Sequence, residues 1–300
     1  MTRLRVYQAD TFTSQPFLGN PAGVVPAADG LTDRQMQAIA SELNNSETAF
    51  VFAPDAADHD VRIRFFTPSV EVPSCGHATI AAHYVRAVEQ SLGACTVRQK
   101  IGIGILPVEV VPLKDDYRIV MTQGRPGFEA ELTPSQREDI QAALGLQHPD
   151  LDSRCPIEIV TTGHSKVLVG IRNRDVLNAL APDMAHLIAI SRQICCNGYF
   201  VFVLGEERDP FLTHARMFAP AIGIDEDPVT GNGNGPLGAY LVKLGLLSVS
   251  NGQASFKSRQ GEAMGRPGAI DVEVTVHDHR PTAVRVSGRA VIAFKADMVM

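Results

Sequence analysis

A long internal repeat constrains the fold of this chain more than any other feature. Three pairs of identical residues are separated by the same 150 positions: Asp33 and Asp183, Ser41 and Ser191, and Phe50 and Phe200. A period of this length predicts two duplicated lobes and excludes a solenoid. We place the lobes at residues 1–122 and 123–300, with a linker at 123–127 and a final strand that can return to the first lobe.

Both lobes contain the same succession of a strand, a glycine-containing loop and an apolar helix. The strand ends in Arg64–Pro68 in the first lobe and in Arg216–Pro220 in the second. The apolar segments that follow, Gly76–Val88 and Leu237–Leu247, are apolar on nearly every side, which predicts a helix buried in the middle of each lobe. Residues 225–236 are interpreted as a loop, with Pro236 in the first helical turn.

Other segments show the patterns of peripheral helices and strands. Thr32 with Gln35 forms a capping box before an apolar stripe that ends at Asn44, and Thr133 precedes a second helix that stops at Gly145. A third helix is predicted over 182–192. Strands are predicted at 48–53 and 61–66, where β-branched and aromatic residues are frequent.

Composition and charge limit the possible partners. The chain has 27 basic and 33 acidic residues, for a net charge of −6, and no basic cluster. Nucleic acid and anionic membrane surfaces are therefore not expected partners, and a small ligand is favoured. No apolar run approaches membrane-spanning length and no signal-peptide core is present, so we predict a cytoplasmic protein that does not bind membranes.

The cysteines and histidines do not show the spacing of a metal site. Five cysteines are an odd number, none is in a C-x-x-C motif, and we expect reduced thiols, with Cys195 and Cys196 in the core. Residues 277–279 are interpreted as an exposed hairpin turn. The glycines between 231 and 235 do not match a nucleotide-binding motif. We therefore predict no metal and no cofactor.

Three ionisable residues stand at corresponding points of the repeat. Glu47 precedes a strand, His77 begins the first central helix, and Asp227 precedes the second. Each alone is weak evidence, but if the lobes face each other both helix N-termini point into one cleft, where they can bind a carboxylate or stabilise an enolate. A carboxylate at such a cleft can move a proton between carbons. The sequence thus predicts an isomerase for a small carboxylic acid.

The ordered motifs resemble the phenazine-biosynthesis isomerase (PhzF-like) family of the diaminopimelate-epimerase-like superfamily. They lie at positions 10–12, 19–21, 46–47, 66–68, 76–77, 216–220, 226–228 and 230–231. The resemblance implies an α+β fold of two similar lobes, each a curled, mostly antiparallel sheet around a central helix, and a homodimer. It implies that Glu47 is the proton-shuttling acid/base and that His77 and Asp227 line the same cleft. The substrate is expected to contact both glycine loops, through Cys75, Gly76, Thr230, Gly231 and Asn232.

One departure from the superfamily pattern affects the expected reaction. Its racemases use two cysteines, one in each glycine loop, whereas this chain has Cys75 in the first loop and Thr230 in the second. A threonine hydroxyl is too weak an acid for that role. We therefore disfavour a two-thiol racemase and expect Cys75 to be dispensable. A one-thiol racemase or epimerase and a non-catalytic scaffold remain alternatives; retention of Glu47, His77 and Asp227 favours an enzyme.

Overall fold

The computed structural model describes residues 3–196 and 198–299. The chain divides into two compact units, of which the first comprises Met1–Thr122 and Ser287–Met300 and the second Gln123–Val286. The C-terminal strand thus belongs to the first unit.

Elements of the first part of the chain are, in order, β1 Arg3–Thr11, β2 Asn20–Val25, α1 Asp33–Leu43, β3 Thr48–Phe52, β4 Val61–Phe66, β5 Glu71–Val72, α2 Gly76–Gln90, β6 Cys95–Ile101, β7 Gly104–Pro112 and β8 Tyr117–Thr122. The remaining elements are β9 Gly127–Phe128, α3 Pro134–Ala143, β10 Glu158–Thr161, β11 Lys166–Ile171, α4 Arg174–Ala179, α5 Met184–Ile194, β12 Tyr199–Leu204, β13 Thr213–Ala219, β14 Ile224–Asp227, α6 Gly231–Lys243, β15 Gln253–Gln260, β16 Gly268–His277, β17 Arg280–Gly288 and β18 Ala290–Val299. Short 3₁₀ turns lie at His148–Asp150 and Pro220–Ile222.

The first unit is a mostly antiparallel sheet with α2 at its centre. Strand β1 lies between β18 and β2, and β6, β7 and β8 form an antiparallel meander. Two pairs are parallel, β2 with β3 and β4 with β6. Helix α2 contacts β1, β2, β3, β7, β8 and β18. Because strands surround it, this helix is buried on nearly all sides, as its apolar sequence predicts.

The second unit repeats this plan. Strand β11 is parallel to β12 and β13 is parallel to β15, while β10–β11, β12–β13 and β15–β16 are antiparallel. Helix α6 contacts β10, β11, β15 and β16. The two parallel pairs occur in corresponding places in both units, so the predicted α+β fold with duplicated sheets around central helices is confirmed.

The peripheral helices follow their local sequence signals. Thr32 and Thr133 both form complete capping boxes, and α1 ends before Asn44, which adopts a left-handed conformation with φ of 52°. Helix α1 packs on its sheet through Met36, Ile39 and Ala40, which belong to a buried apolar cluster with strand residues such as Phe50. Capping and amphipathic spacing depend on residues close in sequence, which explains why these helices were predictable.

The start of the second central helix was predicted wrongly. Helix α6 begins at Gly231, so Pro236 lies inside the helix and not in its first turn. The reason is close packing: a Cβ on Gly233 would lie 2.2 Å from the Phe200 ring, and one on Gly235 would lie 1.7 Å from Gln123 Oε1. The glycines therefore let the first turns of the helix approach their neighbours, and the segment is helical where a loop was expected.

Candidate active site

Glu47 lies immediately before β3, at the parallel β2–β3 pair. The Gly23 N–H donates to the Glu47 backbone carbonyl at 3.2 Å, which fixes the backbone at this point. The Glu47 side chain is only 12% exposed, and its Oε2 has no hydrogen-bond partner within the described part of the chain. A buried carboxylate oxygen without a donor is costly unless a ligand or water supplies one.

His77 is the second residue of α2 and approaches Glu47 directly. His77 Nε2 lies 3.4 Å from Glu47 Oε2 and 3.2 Å from Ser46 Oγ. The His77 side chain is buried, with 7% of its surface exposed. The start of the buried helix thus places an imidazole beside the acid that precedes the strand.

Cys75 caps the same helix with its backbone, and its side chain faces the other side of the imidazole. Its carbonyl accepts hydrogen bonds from the Thr79 N–H and hydroxyl. Cys75 Sγ lies 3.4 Å from His77 Nδ1. The buried side chains therefore form a chain, Cys75–His77–Glu47, in which both imidazole nitrogens have a polar neighbour. Such a chain can hold or pass a proton through the ring.

The same three residues are the set that could hold a metal ion among the described residues. One ligand atom from each of Glu47, Cys75 and His77 lies within 4.8 Å of the others. An ion binds a single imidazole nitrogen, whereas here the thiol faces Nδ1 and the carboxylate faces Nε2. The side chains therefore stand in a row, with the imidazole ring between the thiol and the carboxylate.

Gly76, the first residue of α2, lies between Cys75 and His77 in the sequence. A Cβ at this position would lie 3.4 Å from Met121 Cε, an ordinary contact, so the packing does not require glycine here. A close approach of substrate to the backbone remains the predicted reason for this glycine.

In the second unit, Asp227 is the last residue of β14, and Thr230 is the residue before α6. The Thr230 hydroxyl donates to Asp227 Oδ2. Gln260 holds both residues in place, because its amide donates to the Asp227 carbonyl at 2.8 Å and its Oε1 accepts from the Thr230 N–H at 3.0 Å. A hydroxyl that donates to a carboxylate is not available as an acid, which supports the expectation that Thr230 does not replace a catalytic thiol.

The first residues of α6 are held by Gln123. Its Nε2 donates to the Gly231 carbonyl at 2.9 Å, and its Oε1 accepts from the Thr162 hydroxyl at 2.8 Å. Gly231 is buried, and Asn232 is half-buried. The Gly233 and Asn234 N–H groups donate to the Thr230 carbonyl, whereas the N–H groups of Gly231 and Asn232 have no helical acceptor by geometry and could serve the predicted anion site.

Several residues of the two sites were missed by the sequence reasoning. Ser46 contacts His77, Gln260 and Gln123 hold the second glycine segment, and Lys166 is buried in the second unit. The glutamines lie far in sequence from the groups they hold, so no local pattern reveals them. Lys166 carried one signal, because a lysine that begins an otherwise apolar strand is uncommon.

The family assignment follows from comparison with known proteins. A family model described as phenazine biosynthesis-like protein matches residues 9–296. The chain belongs to this family. An uncharacterized isomerase of Clostridium acetobutylicum is 52% identical over 99% of both chains, and the uncharacterized isomerase YddE of Escherichia coli K12 is 51% identical over 98% of this chain and 97% of its own. The crystal structure of a Bacillus anthracis phenazine biosynthesis protein of the PhzF family covers 100% of both chains with a TM-score of 0.88 and 30% identity.

These similarities confirm the resemblance and the fold expected from the sequence, and the chain is an isomerase-type member of the phenazine biosynthesis-like family. No helix within residues 3–196 and 198–299 has the length and apolar character needed to span a membrane.

Proposed function

We propose that this phenazine biosynthesis-like protein isomerises a small carboxylic acid, without a cofactor, by moving a proton from one carbon to another with Glu47 as the acid/base. The observation that carries the proposal is the buried Glu47 Oε2, which lies 3.4 Å from His77 Nε2 and has no hydrogen bond among the described residues. This oxygen is free to approach a substrate C–H group, and the imidazole beside it can stabilise either protonation state.

The reaction can be written with Glu47 alone making both transfers. The carboxylate takes a proton from a carbon next to an acidifying group, so that a C–H bond breaks, an O–H bond forms and the electron pair enters the conjugated substrate as an enolate. The protonated Glu47 exchanges its proton with solvent and then gives a proton to another carbon, which restores the carboxylate. No electron is gained or lost overall. Donors that stabilise the developing enolate lower the barrier.

A one-thiol racemase or epimerase is the second candidate. It is favoured by the 3.4 Å separation of Cys75 Sγ and His77 Nδ1, an arrangement that can activate a thiol. A racemase returns the proton to the same carbon with inversion, whereas the isomerase delivers it to a different carbon. The position of a deuterium label therefore distinguishes the two reactions.

The test is incubation in deuterated water with a library of unsaturated hydroxy and amino acids, read by mass spectrometry and NMR. We expect label at a new carbon with the wild-type protein and with Cys75→Ala, and none with Glu47→Gln. Glu42→Gln, which changes an exposed glutamate on α1, is the matched control and should behave as wild type. Equal labelling by wild type and Glu47→Gln would exclude Glu47 from the chemistry, and loss of label in Cys75→Ala would favour the racemase.

The remaining parts of the proposal come from the sequence and the family resemblance. We propose that Asp227 also acts in catalysis. Asp227→Asn should therefore lower the rate of label incorporation at least tenfold, which corresponds to the free energy of roughly one charged hydrogen bond.

We further propose a cytoplasmic homodimer. Light scattering coupled to size-exclusion chromatography tests the dimer, and a single-chain mass would contradict it.

A further inference from the structure

Lys166, the first residue of β11, is a buried lysine that the proposed reaction does not use. Only 5% of its surface is exposed. An ammonium group has three donors, yet Nζ donates to a single acceptor within residues 3–196 and 198–299, the Ser165 carbonyl at 3.1 Å, and no carboxylate oxygen there lies within 4.0 Å of it in an ion pair. Burying a charge with most of its donors unsatisfied is costly, so such lysines usually face a ligand or serve a function.

The Lys166 side chain packs against residues of the strands that carry Asp227. A Cβ on Gly198 would lie 2.6 Å from Lys166 Cδ and 2.5 Å from Met217 Cε, so both side chains pack across this glycine. Met217 is paired with Asp227 between β13 and β14. The stem of Lys166 therefore lies over the strands that position Asp227.

Electrostatic interactions agree with this placement. Burial lowers the pKa of Lys166, while Cys196 and Asp227 act in the opposite direction. Burial raises the pKa of the Cys196 thiol to about 11, so this thiol is neutral near pH 7 and supplies no negative charge. Asp227 is then the carboxylate whose negative charge raises the pKa of Lys166.

The repeat places Lys166 at the counterpart of Gly23, the residue whose N–H contacts the Glu47 backbone carbonyl. In the parallel pairs, Val25 faces Phe50 in the first unit and Leu168 faces Phe200 in the second. Since Phe50 and Phe200 are repeat equivalents, Lys166 occupies the position of Gly23, two residues earlier. In the first unit, the Gly23 N–H donates a hydrogen bond to the Glu47 backbone carbonyl. The second unit thus has a lysine where the first unit supports its catalytic acid.

We propose that Lys166 binds an anionic group of the substrate, a carboxylate, in the second unit beside Asp227. Among the described residues two of its three ammonium donors have no acceptor, and a carboxylate would supply one together with a negative charge. The inference rests on the proposed function, because it identifies the substrate group that the site recognises. It adds a binding residue to the second unit, whose previously predicted contacts were Thr230, Gly231 and Asn232.

The test measures binding and does not depend on turnover. Malonate is titrated into the full-length protein by isothermal calorimetry, with malonamide, its uncharged diamide, as the matched ligand. We expect Lys166→Met to weaken malonate binding about 10- to 100-fold, the range for a charge-assisted hydrogen bond. Lys166→Arg should stay within a few-fold of wild type. Lys257→Met, which replaces an exposed lysine of the same unit, should have no effect.

The inference is wrong if Lys166→Met binds malonate as tightly as wild type, if malonamide binds equally well, or if wild type does not bind malonate. Should Lys166→Met fail to fold, side-chain NMR of ¹⁵N-lysine in the wild type decides: the Nζ signal that is lost in Lys166→Arg must shift on addition of malonate. Glu47→Gln separates the two proposals, because it should abolish deuterium transfer and still bind malonate. Normal binding by Lys166→Met together with inactive Glu47→Gln would overturn only the lysine proposal.

Discussion

Acidification is expected to destabilise the first unit through His83, a fully buried residue of α2. Its Nε2 lies 2.9 Å from Gln99 Oε1, and Arg86 Nη1 lies 3.2 Å from its Nδ1. Both contacts suit a neutral ring that donates from Nε2 and accepts at Nδ1. Protonation would place a second N–H against the guanidinium. Burial, and then the charge of Arg86, lower the pKa of His83 to about 4 from an ordinary value of 6.5.

The sign and size of the effect follow from proton linkage. Below pH 6.5 the unfolded chain binds a proton at His83 and the folded chain does not, so the stability conferred by the neutral ring is complete above pH 6.5 and is lost as the pH falls toward 4. With these two values, the loss is about 0.8 kcal/mol at pH 6, about 2 kcal/mol at pH 5 and about 3 kcal/mol at pH 4.

The assay is urea unfolding followed by circular dichroism at pH 7.5 and pH 5.0. His83→Gln removes the titrating group, and His277→Gln, at an exposed position, is the control. Between the two pH values wild type and His277→Gln should lose about 2 kcal/mol more than His83→Gln. The pH-independent cost of the substitution cancels in this difference. Equal losses in wild type and His83→Gln would refute the assignment of a depressed pKa to His83.

Two further predictions concern packing and thiol exposure. Gly235→Ala should destabilise the protein by about 1–3 kcal/mol, because the new methyl overlaps Gln123 Oε1, whereas Gly93→Ala, with no atom within 4 Å, should be neutral; equal urea midpoints would contradict this. In the native protein, Ellman's reagent should titrate two of the five cysteines rapidly, the exposed Cys95 and Cys195, and all five in denaturant. Three or more fast thiols in the native state would show that the assigned burial is wrong.

The exposure of Cys195 also corrects the sequence prediction that both neighbouring cysteines are in the core. Cys195 ends α5 in a left-handed conformation, with φ of 52°, and is exposed, whereas Cys196 is buried. Two apolar residues in succession cannot both point inward where a helix ends and the chain turns. The direction of each side chain depends on that turn, which composition does not reveal. All five thiols are free, as predicted.

The candidate site was only partly predictable for a similar reason. The sequence identified Glu47 and His77 by type and position, and it indicated Cys75 as a residue of the glycine loop. It did not indicate that the imidazole of His77 lies between the other two side chains, with a different nitrogen facing each. That contact joins α2 to the residue before β3, thirty positions earlier, and depends on how the helix is rotated within its sheet.

The sequence by itself determined the duplicated plan, the capped helices and the two buried helices, because each of these depends on a period, a cap or an apolar pattern within a short stretch of chain. Only the tertiary structure decided that α6 begins before Pro236, since Phe200 and Gln123 approach its glycines from other elements. The burial of Lys166 was decided in the same way, by packing against Gly198 and Met217. Caps, periods and apolar patterns involve residues close in sequence and can therefore be recognised in it. Close contacts between distant segments depend on the shapes of side chains that meet only after folding.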